Sequence, residues 1–177
     1  MSFKQLYIFV EGEDDKRFFD NIIKLELSGK YDSINIIRYA KMKKEKVNNF
    51  IISIKKMNAD YIFAHDIDNT VSTTSKKIEI KHMLKNIDED KIFIVIKEIE
   101  SWYLAGLSNE KCKILKIPIV KNTDEITKES FNNMISDRFD SRITFMIEIL
   151  KNFSIKIAIQ KNKSFKYFIE KMNIIAD

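Results

Sequence analysis

The sequence is poor in the residues that form disulfides, zinc sites and flexible linkers. Its 177 residues include one cysteine, two histidines, one proline and three glycines. A single cysteine excludes a disulfide framework, and so few cysteines and histidines argue against a zinc site of the usual composition. We therefore expect Cys112 to be a buried or incidental thiol. With so little glycine and proline, the sequence predicts neither a disordered linker nor a repetitive segment.

Long apolar runs are also missing. No run reaches the ~18 residues that a membrane span requires, and the N-terminus has no basic stretch followed by an apolar core. We accordingly expect no membrane span, no export signal and a cytoplasmic location. The chain is 45% hydrophobic and 32% charged, which is typical of one globular domain with a sizeable core.

The net charge is mildly positive, at +5 with a pI near 9.1. Such an excess favours an acidic partner such as nucleic acid, although a lysine-rich solubilising surface explains it equally well. The densest basic run is KMKKEK at residues 41–46. Runs of this kind are more often a solvated face than a binding groove, and we interpret this one as a solvated face.

Strand and helix patterns alternate along the first part of the chain. Short apolar runs predict strands at residues 6–10, 34–39, 61–64 and 92–96. Helical periodicity predicts helices at 18–25, 46–57, 78–84, 98–107, 124–136, 139–152 and 163–173. Alternation of this kind predicts an α/β fold in which a four-stranded parallel sheet lies between helices, with a helical C-terminal cap. We predict a single domain over residues 1–177, with an α/β core at 1–107 and the cap at 108–177.

Acidic residues follow three of the predicted strands. Glu11 follows the first strand, Asp66 and Asp68 (AHDIDN) follow the third, and Glu98 and Glu100 (KEIESW) follow the fourth. For the strand order 2-1-3-4, the carboxyl ends of strands one and three meet where strand order reverses, which is where such sheets bind ligands. Carboxylates gathered there suit magnesium, which prefers oxygen ligands. For Glu98 and Glu100, a helix-start role remains an equal alternative.

The residues around these acids have simpler explanations. Gly12 lets the backbone turn sharply after the first strand. Asp14 and Asp15 are interpreted as first-turn acids that the helix dipole favours. His65 is expected either to pack beside the acids or to support them, and Trp102 and Tyr103 are expected to lie in the core.

The motifs VEGEDD after the first strand and DID after the third resemble the two signatures of the toprim domain. The resemblance covers about residues 5–105. Toprim domains, which have a Rossmann-like fold, occur in topoisomerases, bacterial primases, small ribosomal-RNA maturases and overcoming-lysogenization-defect (OLD) nucleases. The resemblance implies that Glu11 is a metal ligand or general acid–base, and that Asp66 and Asp68 hold Mg²⁺ or Mn²⁺.

The segments EIESWYLAG and KNKSFKYF resemble parts of the OLD-like, stand-alone toprim nucleases. Carried over, this resemblance implies that Glu100 and Lys163 assist catalysis and that Glu98 is a further metal ligand, with Lys161 the neighbouring alternative to Lys163. A topoisomerase needs a nucleophilic tyrosine on another domain, and a primase would want a zinc-binding module. The chain has no room for the first and lacks the second.

Two functions from different classes follow. The leading hypothesis is a metal-dependent nuclease that cleaves phosphodiester bonds of DNA or RNA. The alternative is a non-catalytic toprim-like module that binds nucleic acid or a partner ATPase, for example in a phage-defence system. A flavodoxin-like phosphate receiver is weaker, because no threonine and lysine follow in the expected order. The sequence leaves open a separate ATPase subunit and a homo-oligomeric state.

Overall fold

The computed structural model describes residues 3–174 and contains a four-stranded parallel sheet. The strands run β2-β1-β3-β4 across the sheet, as the sequence predicts. In the first ladder β1 pairs with β2 from Gln5 opposite Ser33 to Val10 opposite Arg38. Their bounds are β1 Gln5–Val10, β2 Ser33–Arg38, β3 Asp60–Asp66 and β4 Ile92–Val95.

Burial distinguishes β2 from the other strands of the sheet. All four residues of β4 are buried, as are four consecutive residues of β3 from Tyr61 to Ala64. Such continuous apolar runs are typical of parallel strands covered on both faces. In β2 only Ile34 is buried, although β2 and β4 both form edges of the sheet. The inner strands β1 and β3 are neighbours, so their carboxyl ends lie next to each other.

The helices that follow the first three strands hold the sheet in place. The first one contains a π-helical turn at Phe19–Ile23, which lets Phe18 and Phe19 both become fully buried. The extra residue in this turn shifts the helical phase, so Leu25, the last residue of the helix predicted at 18–25, is 66% exposed and Leu27 is buried instead. The bounds are α1 Glu13–Phe18, α2 Lys24–Leu27, α3 Lys44–Lys56 and α4 Thr73–Met83, with a 3₁₀ turn at Glu89–Lys91.

The chain divides into two compact units, Met1–Ile94 and Val95–Asp177. Within residues 96–174 the second unit contains helices and turns and no strand. Its helices are α5 Glu100–Ala105, α6 Asn109–Leu115, α7 Lys128–Asn132, α8 Arg142–Lys151, α9 Ile155–Lys161 and α10 Lys163–Lys171. Whether the two units form a single domain stays a prediction. Every helix of residues 3–174 is too short or too polar to cross a lipid bilayer.

Two helices of the second unit are absent from the predicted set. Both α6 and α9 are seven residues long, too short for a strong periodic signal. Each begins at a serine whose hydroxyl accepts a backbone N–H: Ser108 from Lys111 at 3.2 Å, and Ser154 from Ile157 at 3.4 Å. A serine cap of this kind is the feature of the sequence that could have predicted these two helices. The helix predicted at 124–136 is shorter, because α7 begins only after the cap at Thr127.

Aromatic packing forms the core of the second unit, as predicted for its tryptophan and tyrosine. Trp102 and Tyr103 are fully buried. The Trp102 ring lies 5.1 Å from Phe165 and 5.4 Å from Phe168 between centroids, and its Nε1 donates to Ser164 Oγ at 2.8 Å. The indole N–H therefore has a hydrogen-bond acceptor, and the ring is packed against other aromatic side chains. Cys112 is buried too, in agreement with a structural thiol.

Gly106→Ala is expected to destabilise the protein by about 1–3 kcal/mol. An added Cβ at Gly106 would overlap the ring of Phe153, while the backbone of Gly106 has an ordinary negative φ of −77°. The cost is thus steric and not conformational. Gly29→Ala is the matched control, because a Cβ there meets nothing within 4 Å. Chemical denaturation of both variants tests this; equal stabilities would contradict the packing argument.

Candidate functional site

Glu11 and Asp66 meet at the carboxyl edge of the sheet. Glu11 follows the last residue of β1, and Asp66 is the last residue of the neighbouring strand β3. The backbone N–H of Asp66 donates to Glu11 Oε1 at 2.8 Å. The side chain of Glu11 thus continues the contact between the two strands beyond the last paired residues, Phe9 and Phe63.

His65 lies between the carboxylates. Its Nδ1 atom is 2.7 Å from Glu11 Oε1, 2.8 Å from the carbonyl oxygen of Asp66 and 4.0 Å from Asp68 Oδ2. A carbonyl oxygen and an ionised carboxylate both accept hydrogen bonds, so Nδ1 carries the proton. In the neutral imidazole this leaves Nε2 as the nitrogen that accepts a proton. His65 is therefore a part of the site and not only a packing residue beside it.

Asp68 turns back toward helix α4. Its backbone is left-handed, with φ of 49°, a conformation that aspartate and asparagine adopt more readily than most residues. Its Oδ2 atom accepts a hydrogen bond from Lys76 Nζ at 2.6 Å. The Lys76 side chain is only 4% exposed. Burial lowers the pKa of Lys76, but the hydrogen bond and the charge of Asp68 outweigh this and raise it.

Asp15 lies behind the edge, in the first turn of α1. Its Oδ2 accepts the backbone N–H of Gly12 at 3.1 Å and so caps the helix. The neighbouring Asp14 pairs with Arg17 at 2.6 Å. Both are first-turn acids, as predicted. Burial, followed by the negative charge of Glu11, raises the pKa of Asp15 to about 6.

The raised pKa of Asp15 predicts a loss of stability with rising pH. Because the folded-state value is about 6 and the ordinary value is 3.8, the stabilisation is complete below the ordinary value and is lost as pH rises through 6. The full effect is about 2–3 kcal/mol. Asp15→Asn keeps an oxygen for Gly12 and removes the titration. We expect its melting temperature, measured in chelator, to exceed that of the parent at pH 8 and to match it near pH 4; parallel curves would contradict this.

The edge as a whole is a region of negative potential. Tyr39 is buried beside it and donates its hydroxyl to the carbonyl oxygen of Ala64 at 3.2 Å. Burial raises the pKa of Tyr39 well above its ordinary value, and four negative charges raise it further: Glu11, Asp15, Asp66 and Asp68. A phenol that senses four carboxylates together places all of them within one electrostatic neighbourhood.

The donor set fits a hard cation in its chemistry. Carboxylate oxygens are the ligands that magnesium and manganese prefer, and oxygens of Glu11 and Asp68 both lie within 4.0 Å of one nitrogen, His65 Nδ1. Within residues 3–174, however, no group of three or more histidine, cysteine or acidic side chains has the arrangement of a metal site. His65 and Lys76 stand next to the carboxylates that a cation would use. Lys76 occupies one of the two carboxylate oxygens of Asp68, Oδ2.

The other residues implied by the resemblance lie in the second unit. Glu98 Oε2 accepts the backbone N–H of Lys128. Glu100, the first residue of α5, is buried and forms an ion pair with Arg142. Burial raises the pKa of Glu100, and the charge of Arg142 opposes the shift. Both glutamates thus have protein partners, and their catalytic and metal-binding roles stay predictions.

Lys163 and Lys161 differ in how far they are available. The Lys163 side chain is 82% exposed, with Nζ 3.7 Å from Asp124 Oδ2. Its backbone N–H donates to Asp124 Oδ1 at 2.8 Å. Lys161 instead directs its ammonium to the carbonyl oxygen of Leu107 at 2.6 Å. Of the two lysines, Lys163 is therefore the one whose ammonium can reach a ligand.

The sequence analysis missed two cations that pair with predicted site residues. Lys76 binds Asp68 across eight positions of sequence, and Arg142 binds Glu100 across forty-two. No helical or strand spacing joins residues that far apart, so neither pair left a periodic signal. The feature of the sequence that comes closest to predicting the role of Lys76 is its position near the start of the helix that follows the DID motif.

Comparison with known proteins gives a structural relative and no sequence relative. No protein family model matches the chain, and no curated protein matches it in sequence. The C-terminal region of the OLD protein of Xanthomonas campestris pv. campestris superposes with a TM-score of 0.50 at 14% identity, covering 97% of this chain and 95% of that one. This chain shares its fold. Identity this low shows the fold alone.

A second solved structure is less similar. The C-terminal region of the Burkholderia pseudomallei OLD protein gives a TM-score of 0.35 at 16% identity, with 94% of this chain and 89% of that chain covered. Both structures are C-terminal regions of OLD proteins.

Proposed function

We propose that the protein is a magnesium- or manganese-dependent nuclease that hydrolyses phosphodiester bonds of DNA or RNA. The observation that carries the proposal is that Glu11 contacts the backbone of Asp66 and that Glu11 and Asp68 both approach His65, at the carboxyl ends of the neighbouring strands β1 and β3. Ligand sites of open α/β sheets lie at this position. The fold shared with an OLD C-terminal region supports the same proposal.

The proposed chemistry divides between the cation and the side chains. Glu11, Asp66 and Asp68 would hold a divalent cation, which supplies Lewis acidity at the phosphate and lowers the pKa of a bound water. As general acid–base, Glu11 would take the proton of the attacking water, and it also holds the His65 ring through Nδ1. Asp15, behind Glu11, keeps the turn at Gly12 closed through its cap.

The sequence resemblance supplies the remaining proposed roles. We propose that Glu98 is a further ligand, that Glu100 assists catalysis, and that Lys163 stabilises the charge that develops on the phosphate. Lys163→Ala is expected to slow cleavage about 10- to 100-fold and to leave metal affinity nearly unchanged, because an ammonium does not ligate magnesium. Cleavage rates and calorimetric titration with Mn²⁺, measured on one preparation, check both parts.

A second function has one observation in its favour. Lys76 neutralises Asp68 from inside the protein, with Nζ only 2.6 Å from Oδ2. A site neutralised by its own lysine is stable without metal, as a non-catalytic module that binds nucleic acid or a partner ATPase would need. Lys76→Met separates the functions. If Asp68 is a metal ligand, this variant should bind Mn²⁺ more tightly than the parent. If Asp68 only pairs with Lys76, the variant should be less stable and its Mn²⁺ affinity should not change.

The proposed function is tested by incubating the pure protein with supercoiled plasmid, linear DNA and RNA. Each substrate is offered with magnesium, with manganese and with chelator. We expect nicking or degradation of at least one polymer that requires metal and that Glu11→Gln removes. Glu26→Gln is the matched control, since Glu26 is exposed on α2, away from the carboxyl edge. Absence of cleavage on every polymer with both metals would overturn the nuclease proposal.

A further inference from the structure

Four lysines lie close together on the turn after β2 and on the first turn of α3. Lys41, Lys43, Lys44 and Lys46 are all exposed. Among the residues that the structure describes, none of the four has a carboxylate within ion-pair distance. Four unneutralised ammonium groups within six residues form a compact positive surface, which we call the lysine turn. It is solvated, as the sequence indicates, but its position gives it a further meaning.

The lysine turn begins beside the candidate site. The backbone N–H of Tyr39 donates to the carbonyl oxygen of Val10 at 2.9 Å, and that of Ala40 to the carbonyl oxygen of Glu11 at 3.4 Å. The turn therefore leaves the sheet at the carboxyl edge, directly next to Glu11. A polyanion held by these lysines would pass the carboxylates where the proposed chemistry takes place.

A cavity opens between the lysine turn and the site. Its volume is about 240 Å³. The lining includes Glu11 and His65 of the site, Lys44 of the lysine turn, and the apolar side chains of Ala40, Met42 and Met83. Sites for drug-sized molecules usually have ~300–1,000 Å³. This cavity is smaller, and its size and mixed lining suit one planar ring system with polar edges. Methionine walls adapt readily to such a ring.

We propose that the lysine turn and this cavity bind an unpaired stretch of nucleic acid. The lysines contact successive phosphates, and the cavity receives one base that has left the stack. Bases inside a duplex are stacked and paired and cannot enter a cavity of this kind, whereas those of a single strand can. The choice of polymer rests on the proposed function. The preference for an unpaired strand is new and comes from the cavity beside the lysines.

The salt dependence of binding tests the lysine turn. A labelled 20-nucleotide single strand is titrated in chelator, so that binding is measured without cleavage. Four phosphate contacts predict a slope of about −3 for log K against log salt concentration. Changing Lys43, Lys44 and Lys46 to Gln should reduce this slope by about 2 and weaken binding at least tenfold. The matched control changes three exposed lysines of the second unit to Gln: Lys113, Lys121 and Lys156.

Ala40→Phe tests the cavity. Ala40 is exposed at the cavity lining, so a larger side chain can fill the space without disturbing the core. We expect Ala40→Phe to weaken single-strand binding about tenfold, with an unchanged salt slope and unchanged duplex binding. Ala40→Ser, which leaves the space open, should bind like the parent. Thermal melts establish that each variant is folded.

The outcomes separate this inference from the proposed function. Equal losses in the two lysine triples, or parental binding by Ala40→Phe, would overturn the inference even if the protein cleaves nucleic acid. If the protein binds single strands as described but cuts no polymer with either metal, the nuclease proposal fails and the inference stands. Tighter binding of duplex than of single strand by the parent would also overturn the inference.

Discussion

Asp66→Asn is expected to reduce metal-dependent cleavage by at least about 100-fold while the protein stays folded. Asparagine keeps the shape of the side chain and removes the charge that a hard cation binds. The backbone N–H that Glu11 accepts belongs to residue 66 in either variant. In the metal-free protein the variant removes one of the negative charges that Glu11, Asp66 and Asp68 together place near Tyr39, so the melting temperature should rise by a few degrees.

Cleavage and stability therefore move in opposite directions in this variant. A plasmid-nicking assay and a thermal melt on the same sample measure both, with Glu26→Gln as the control for loss of one negative charge. If Asp66→Asn cuts as well as the parent, the carboxyl edge is not the catalytic site, and the non-catalytic binding module becomes the better hypothesis.

Arg142→Met is expected to produce the largest loss of stability, about 2–4 kcal/mol. The Glu100 side chain is 4% exposed and that of Arg142 24% exposed. Methionine keeps the apolar stem that packs near Phe131 but leaves the buried carboxylate without its ion pair. Breaking a buried pair from one side costs ~3–5 kcal/mol, and the partial exposure of Arg142 reduces this figure. Urea denaturation at pH 7 gives the difference directly.

The double variant Glu100→Gln with Arg142→Met identifies the cause. If the loss comes from an uncompensated charge, neutralising Glu100 should restore most of the stability. The single variant should also recover at low pH, because a carboxyl whose pKa is raised in the folded state is stabilising when protonated. A double variant as unstable as Arg142→Met would mean that packing, and not charge, is responsible.

Much of the fold could be predicted because its main signals are local. The four strands are short apolar runs, and their order follows from the alternation of strand and helix with the usual 2-1-3-4 connection. The predicted buried face of a helix was wrong where the backbone departs from regular α-helix. The π-helical turn at Phe19–Ile23 moved Leu25 to the surface, and no residue type marks such a turn. Short capped helices such as α9 were not predicted, because seven residues give only a weak periodic pattern.

The candidate site likewise has parts that the sequence predicts and parts that it does not. The contact of Glu11 with the end of β3 could be predicted, since the ends of neighbouring parallel strands coincide whatever the side chains. The counter-ion of Asp68 could not be foreseen, because Lys76 reaches Asp68 only through the packing of α4. The π turn, the buried lysine and the pair of Glu100 with Arg142 all depend on tertiary structure, which periodicity does not encode.

The hydrogen bond from the Asp66 amide to Glu11 makes that amide unlike the others in its strand. The amides of β3 up to Phe63 lie where the ladder pairs β1 with β3. Their exchange with deuterium requires the strands to separate. The Asp66 proton is held by a carboxylate instead. Its exchange rate follows the position and charge of one side chain, so a single backbone resonance can record what Glu11 binds, without any substrate.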